Sequence, residues 1–297
     1  MIINKTTRVI QLKFKFMKDK ICIITGANSG IGKATAKELA LNGATVVMIC
    51  RNKEKGMLAL QEIKEISKND SLELIIADLS SQKEIRLLAD KLRKKYPVIH
   101  VLINNAGAVN DKWSETVDKI ETTFATNHLA YFLLTLLILD NLKSASNARI
   151  VNLASEAQRT GKINFDDLNL KNEFSAIKTY SQSKLANVLF TYELARRLKD
   201  TKVTVNCLHP GLVRTNFGKD LNGFFKGIII LMKPFMRNAD KGAETAVWLA
   251  TSPDVEGLSG RYYTDKKEIK SNPISYDLKI AERLWKESER MTGLKTI

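Results

Sequence analysis

Short apolar runs alternate with longer segments whose apolar residues recur every three to four positions. Ile21–Thr25, Ala44–Cys50, Leu72–Ala77, Val98–Ile103, Ala148–Ala154, Val203–Cys207 and Gly260–Tyr263 read as strands. Between them, a stretch from Gly30 to about Asn42, then Lys53–Lys68, Gln82–Lys95, Asp118–Leu142, Lys178–Lys199 and Ala239–Thr251 read as helices. A polar, amphipathic helix at about 276–291 ends the chain. Strands that are apolar throughout and alternate with helices predict a parallel sheet covered on both faces. The fold class expected is α/β, a doubly wound Rossmann-type sheet of seven parallel strands. No linker rich in Pro, Gly or Ser divides the chain, so one domain over 18–297 is expected, preceded by an extension at 1–17.

Composition narrows the classes. The 297 residues include 47 basic and 32 acidic side chains, a net charge of +15. That charge suits nucleic acid, an anionic membrane or a polyanionic cofactor. The basic residues are scattered and lack interleaved aromatics, which argues against nucleic acid. Cys22, Cys50 and Cys207 lie in or beside apolar runs with no metal-ligand spacing and read as buried thiols of a reducing compartment. No run reaches the roughly 18–20 apolar residues of a membrane span. A cytoplasmic protein, touching a membrane surface at most peripherally, is expected. Lys5, Arg8, Lys13, Lys15 and Lys18 crowd the first 18 residues without an acid. Met17 directly precedes the first strand, and a start there would leave 1–16 dispensable.

The first strand–helix turn carries Gly26-x-x-x-Gly30-x-Gly32. Such glycines permit a sharp turn and let a pyrophosphate approach free N–H groups at a helix start. An ordinary strand–helix turn would use the same residues, but this is the first βα turn of the chain, where a dinucleotide site belongs. At the end of the second strand, where an acid would bind a ribose 2′-hydroxyl, stand Cys50 and Arg51. A guanidinium suits a 2′-phosphate, which favours NADP(H) over NAD(H), although a solvated Arg is the plain alternative. Asp78 suits an adenine amino group or a helix cap.

Tyr-x-x-x-Lys occurs three times, at Tyr180/Lys184, Tyr262/Lys266 and Tyr263/Lys267. In extended chain the two side chains stand roughly 13 Å apart; on a helix they are neighbours. Only Tyr180 and Lys184 fall on a predicted helix. An ammonium beside the phenol should lower its pKa and make Tyr180 a general acid and base for a carbonyl/alcohol pair. Ser155 follows the fifth strand and can bond the same oxygen. Asn127 lies in a helix where packing does not require it.

Together these residues resemble the short-chain dehydrogenase/reductases over about 18–265. The matching elements are Thr25-Gly26-x-x-x-Gly30-Ile31-Gly32, Asp78-Leu79, Asn104-Asn105-Ala106-Gly107, Asn127, Ser155, Tyr180-x-x-x-Lys184 and Pro210-Gly211-x-x-x-Thr215. The resemblance implies Tyr180 as acid/base and Lys184 as its partner and the holder of the nicotinamide ribose. It implies Ser155 as the carbonyl-orienting donor and Asn127 as anchor of a water relay. Cofactor contacts are expected from Gly26, Asn28, Ser29, Gly30, Ile31, Gly32, Arg51, Asp78, Leu79, Asn105, Ala106, Gly107, Tyr180, Lys184, Pro210, Gly211, Val213 and Thr215, with no metal. Cys50-Arg51-Asn52, Ser183-Lys184-Leu185-Ala186-Asn187, His209-Pro210-Gly211 and the 25-residue spacing of Ser155 and Tyr180 resemble the retinol-dehydrogenase-like branch. That branch implies NADPH and lipophilic aldehydes or ketones. The retained Asn127, Ser155, Tyr180 and Lys184 argue against a catalytically silent NADP(H) sensor or interaction protein.

Two apolar segments complete the expectations. Phe224, Phe225, Ile228–Met232, Phe235 and Met236 read either as a flap over a hydrophobic substrate, within about 212–238, or as a helix packed on the core. Leu129–Leu139 is apolar on nearly every side and must be covered all round. The family pairs this helix and the Tyr180 helix across a dimer interface, so a homodimer is expected.

Overall fold

In the computed structural model, residues 17–213 and 236–295 are described. Eight strands form one sheet in the order β3-β2-β1-β4-β5-β6-β7-β8. They are β1 Ile21–Thr25, β2 Thr45–Cys50, β3 Leu72–Ile76, β4 Val101–Asn104, β5 Arg149–Leu153, β6 Thr204–Leu208, β7 Arg261–Thr264 and β8 Lys267–Glu268. The first seven are parallel, as expected. The eighth corrects the strand count: two residues pair antiparallel with β7, Tyr263 opposite Glu268 and Thr264 opposite Lys267. Asp265 and Lys266 make the tight turn with φ of 49° and 61°, a conformation that favours Gly. The hairpin also explains the two Tyr-x-x-x-Lys spacings that cannot act as a unit.

The described helices are α1 Gly30–Leu41, α2 Lys53–Ser67, α3 Gln82–Lys95, α4 Thr122–Phe124, α5 Ala130–Leu137, α6 Leu139–Lys143, α7 Ala176–Arg197, α8 Ala239–Thr251 and α9 Leu278–Thr292. Strand residues 46–50 are buried without a break, because helices cover both faces. One face packs Ile23, Val47 and Leu102 against α3, α5 and α7; the other packs Cys22, Ile24 and Met48 against α1, α2 and α8. Met17 is buried in the second core, and its N–H donates to Asn42 at 3.2 Å.

The helix expected over 118–142 begins at Thr122 and is not uniform. Lys119 is left-handed with φ of 60°, and the buried Glu121 carboxylate accepts from Thr123 and Phe124 N–H at 2.8 and 2.7 Å. Between α4 and α5, Ala125–Leu129 is π-helical, a wide turn common at functional positions. Ile138 then breaks the run before α6.

Much of the apolar stretch that suggested a second subunit is buried within the one chain, with Leu136, Leu137 and Leu139 half-buried. Helix α9 lies across α5 and α7. The Trp285 ring is 5.0 Å from Phe132 and 6.0 Å from Phe190, and the Arg197 guanidinium stacks on it at 4.1 Å. His128 Nε2 and Ser288 Oγ are 3.0 Å apart. Along α7 every residue from Ser181 to Thr191 is buried. The chain's own last helix thus covers part of the apolar surface that motivated the homodimer expectation, at Phe132 and Phe190.

The substrate-flap residues Phe224, Phe225, Ile228–Met232 and Phe235 lie outside the described residues, as does Thr215. Among the described residues, no helix is long and apolar enough to cross a membrane.

Candidate active site

Strand order reverses between β1 and β4, and beyond the carboxyl ends of the strands at such a switch point a doubly wound sheet binds its ligand. The glycine turn forms one wall. Gly26 and Gly30 have φ of +67° and +54°. Gly32 is needed for contact rather than conformation. A Cβ there would stand 2.4 Å from both Asn105 Nδ2 and the Gly26 carbonyl oxygen. Asn105 Nδ2 donates to the carbonyls of Thr25 (2.7 Å) and Gly26 (3.2 Å), and Thr25 Oγ1 accepts from the N–H groups of Asn105 and Ala106 at 2.9 Å each. The Asn105 side chain thus fixes the shape of the turn.

Asn28, Ser29 and Ile31 are half-buried along that turn. Ser29 precedes α1 in extended conformation without a side-chain cap, and the first turn of α1 holds no acid. Its N–H groups and positive dipole end remain suited to an anion. Arg51 is exposed after β2 and joins no ion pair among the described residues. Asp78 is engaged locally: Oδ1 accepts from Ser80 N–H at 2.9 Å and Ser80 Oγ at 2.8 Å. It shapes the turn before α3, which Ser81 caps. Leu79 is buried behind it. These residues fit a dinucleotide phosphate.

The second wall brings Ser155, Tyr180 and Lys184 together. Ser155 follows β5, and its hydroxyl bonds the Tyr180 phenol. Lys184, one helical turn further along α7, is buried; its Nζ donates to the Leu153 carbonyl at 3.0 Å and lies 5.7 Å from the Tyr180 ring centre. Gly107 closes the approach, since a Cβ there would sit 3.3 Å from Asn127 Oδ1 and 3.7 Å from Lys184 Nζ.

The electrostatics differ from the expectation that Lys184 lowers the phenol's pKa. Burial pushes the Tyr180 phenol up to about 12, and the hydrogen bond with Ser155 opposes that. Burial also pulls Lys184 down to about 7. Both charged forms lose water here, so the ammonium that should favour a phenolate is itself weakened.

Asn127 is held by packing that the sequence did not require. It is fully buried in the π-helical turn, its Oδ1 accepting from Ala108 N–H at 2.7 Å. Its Nδ2 donates to the Ala108 carbonyl and to Ser183 Oγ, both at 3.0 Å. The side chain ties the loop after β4 to α7.

Further residues that the sequence did not place at the site complete it. The Tyr131 ring lies 5.8 Å from Lys184 Nζ, and its hydroxyl donates to the Ala106 carbonyl at 2.8 Å. Asn187 Nδ2 reaches the Leu153 carbonyl at 3.3 Å, and Tyr262 donates to the Ser155 carbonyl at 3.3 Å. Helical spacing of Asn187 from Lys184 was a usable signal; Tyr131 and Tyr262 arrive from distant elements and had none. Pro210 and Gly211 follow β6, and Gly211, with φ of +78°, lies against the Arg237 guanidinium. Val213 bridges Arg237, whose side chain pairs with Asp265. No group of three or more metal-ligating side chains occurs among the described residues.

The sequence model of the short chain dehydrogenase family matches residues 20–224. The chain belongs to that family. Human retinol dehydrogenase 14 is 43% identical over 94% of this chain and 88% of its own length. Mouse retinol dehydrogenase 12 is 42% identical over 93% of this chain and 87% of its own. The family membership makes the chain an oxidoreductase using a nicotinamide cofactor, in the retinol-dehydrogenase-like branch. Among solved structures, an uncharacterised protein of Mycobacterium paratuberculosis matches with a TM-score of 0.77 and 32% identity, covering 95% of this chain and 96% of that one. A short-chain dehydrogenase of Shigella flexneri complexed with NADP matches in fold, with a TM-score of 0.67 and 24% identity over 86% of this chain and 100% of that one.

Proposed function

We propose that the protein transfers a hydride between NADP(H) and a lipophilic aldehyde or ketone of retinal-like size, reversibly with the alcohol. The observation that carries the reading is the convergence of Ser155, Tyr180 and Lys184 beside the glycine turn. In reduction, the Ser155 hydroxyl donates to the carbonyl oxygen and holds it against Tyr180. The phenol, kept protonated by burial, gives its proton to that oxygen as negative charge develops. Lys184 then stabilises the phenolate and would hold the nicotinamide ribose. When bound, the cofactor supplies the hydride in reduction and takes it in oxidation. Gly26, Gly30 and the start of α1 would hold its pyrophosphate. Asn127 and Asn105 act as positioning residues through the main chain they bind.

Arg51 supports the 2′-phosphate preference, being exposed, unpaired among described residues and set at the end of β2. Arg51→Glu is expected to raise the KM for NADPH by about 10- to 100-fold, as losing charge-assisted hydrogen bonds requires, and to narrow the gap to NADH. Steady-state kinetics with both cofactors check this; an unchanged NADPH preference would remove Arg51 from the reading. A lipophilic substrate is supported by the names of the relatives and by Ile177 and Leu212, exposed apolar side chains on the segments that carry Tyr180 and Pro210.

With α9 on the face expected to pair, this reading takes the working unit as a single chain. Sedimentation velocity is expected to show a monomer; a stable dimer with α7 protected at its interface would contradict it.

A further inference from the structure

The candidate active site lies at the carboxyl ends of the strands. At the opposite end, where β1, β4 and β5 begin, the chain forms a cavity of about 170 Å³ lined by Lys20, His100, Asn147, Arg149 and Glu256 among others. Strand register assembles it. Lys20 precedes β1, His100 precedes β4 and Arg149 opens β5. His100 N–H donates to the Ile21 carbonyl at 3.0 Å, and Arg149 N–H to the His100 carbonyl at 2.9 Å. Parallel neighbours therefore place the three side chains on one edge.

Each brings an uncommitted donor. Arg149 Nη1 donates to the carbonyls of Leu249 (3.1 Å) and Ser252 (2.7 Å) at the end of α8, leaving Nε and Nη2 without an acceptor among the described residues. Burial lowers the Arg149 pKa, with Glu256 opposing; the guanidinium is partly desolvated and incompletely compensated. Lys20 Nζ joins no hydrogen bond or ion pair among the described residues. His100 accepts the Ile21 N–H at Nδ1, 3.1 Å away, so the neutral ring carries its proton on Nε2. Burial and the Lys20 charge both lower the His100 pKa, which keeps that tautomer at neutral pH. Glu256 is the acid in the lining; it is exposed and forms no ion pair among the described residues. Two cations and an imidazole donor thus face one solvated carboxylate.

We propose that this cavity binds a phosphate group through Lys20, His100 and Arg149, as a site separate from the dinucleotide crevice. A guanidinium edge matches two oxygens of a tetrahedral oxyanion, and the ammonium and imidazole N–H can meet others. A partly buried cation without a full counter-charge is unfavourable, and an anion relieves it. Soluble phosphate and a phospholipid headgroup share this chemistry.

The test is calorimetric titration of the full chain with inorganic phosphate at low salt, comparing wild type, Lys20→Glu, Lys20→Gln and Arg51→Ala. The Lys20 ammonium forms no hydrogen bond or ion pair among the described residues, so its variants should keep the wild-type melting temperature. The site is supported if Lys20→Glu weakens phosphate binding by about tenfold or more, Lys20→Gln by less, and Arg51→Ala leaves this binding unchanged. No binding by wild type, or binding lost only in Arg51→Ala, overturns it. A second arm sediments wild type and Lys20→Glu with phosphatidylcholine vesicles, with and without phosphatidic acid. Retention on the acidic vesicles that Lys20→Glu loses assigns the site to a headgroup. Equal retention of the two proteins, with phosphate binding still dependent on Lys20, assigns it to a soluble phosphate.

Discussion

Lys184→Met is expected to give a protein more stable than wild type at neutral pH and about 10²- to 10⁴-fold slower. The two effects share one cause. In the unfolded chain a lysine holds its proton to about pH 10.4, whereas burial pulls Lys184 down to about 7 in the fold. Between those values the unfolded state binds more protons, so wild-type stability should rise with pH from about 7 to about 10. At pH 7 the buried amine costs on the order of 4 kcal/mol. Methionine fills a similar volume without the charge. The Leu153 carbonyl, which loses the Nζ donor, keeps Asn187 Nδ2 at 3.3 Å. Urea unfolding of both proteins at pH 7 and 9.5 checks this. The variant should be more stable at pH 7 and the gap should shrink at 9.5. A less stable variant, or a wild type insensitive to pH, would contradict it. Selection for a function tolerates such a cost.

Tyr180→Phe removes one oxygen and leaves the ring. It is expected to slow carbonyl reduction by about 10²- to 10⁴-fold while NADPH binding stays within about twofold. The wild-type pH dependence should separate the two directions. With the phenol pushed up to about 12, its protonated form prevails at neutral and moderately alkaline pH, so Tyr180 imposes no loss on reduction there. Alcohol oxidation needs the phenolate and should accelerate as pH rises. Stopped-flow measurement in both directions decides this. A Phe variant within a few-fold of wild type would show that another group moves the proton.

Much of this site was legible because its signals are local. The glycine turn sits where a strand meets a helix, and Tyr180 and Lys184 are one helical turn apart. What sequence concealed depends on contacts between distant elements. Asn127 sits where packing seemed not to need it, yet it holds Ala108 and Ser183 from within a π-helical turn that periodicity does not announce. Asp78 offered two roles, and Ser80, two residues away, decided its engagement. The pKa of Tyr180 turned on burial, which a spacing argument cannot weigh against a neighbouring charge. The apolar helix at Leu129–Leu139 signalled a need for cover, and α9 supplies much of it from the far end of the chain through Trp285. The β7–β8 hairpin escaped because Asp265-Lys266 makes its turn without glycine.

The most direct test of the central claim is the steady-state oxidation of NADPH and of NADH by the purified chain with retinal and with a short aliphatic aldehyde. Retinal-dependent turnover is expected, with kcat/KM higher for NADPH than for NADH, higher for retinal than for the short aldehyde, and lost in Tyr180→Phe. A chain that binds NADPH yet turns over neither carbonyl, or that works equally well as Tyr180→Phe, would contradict it.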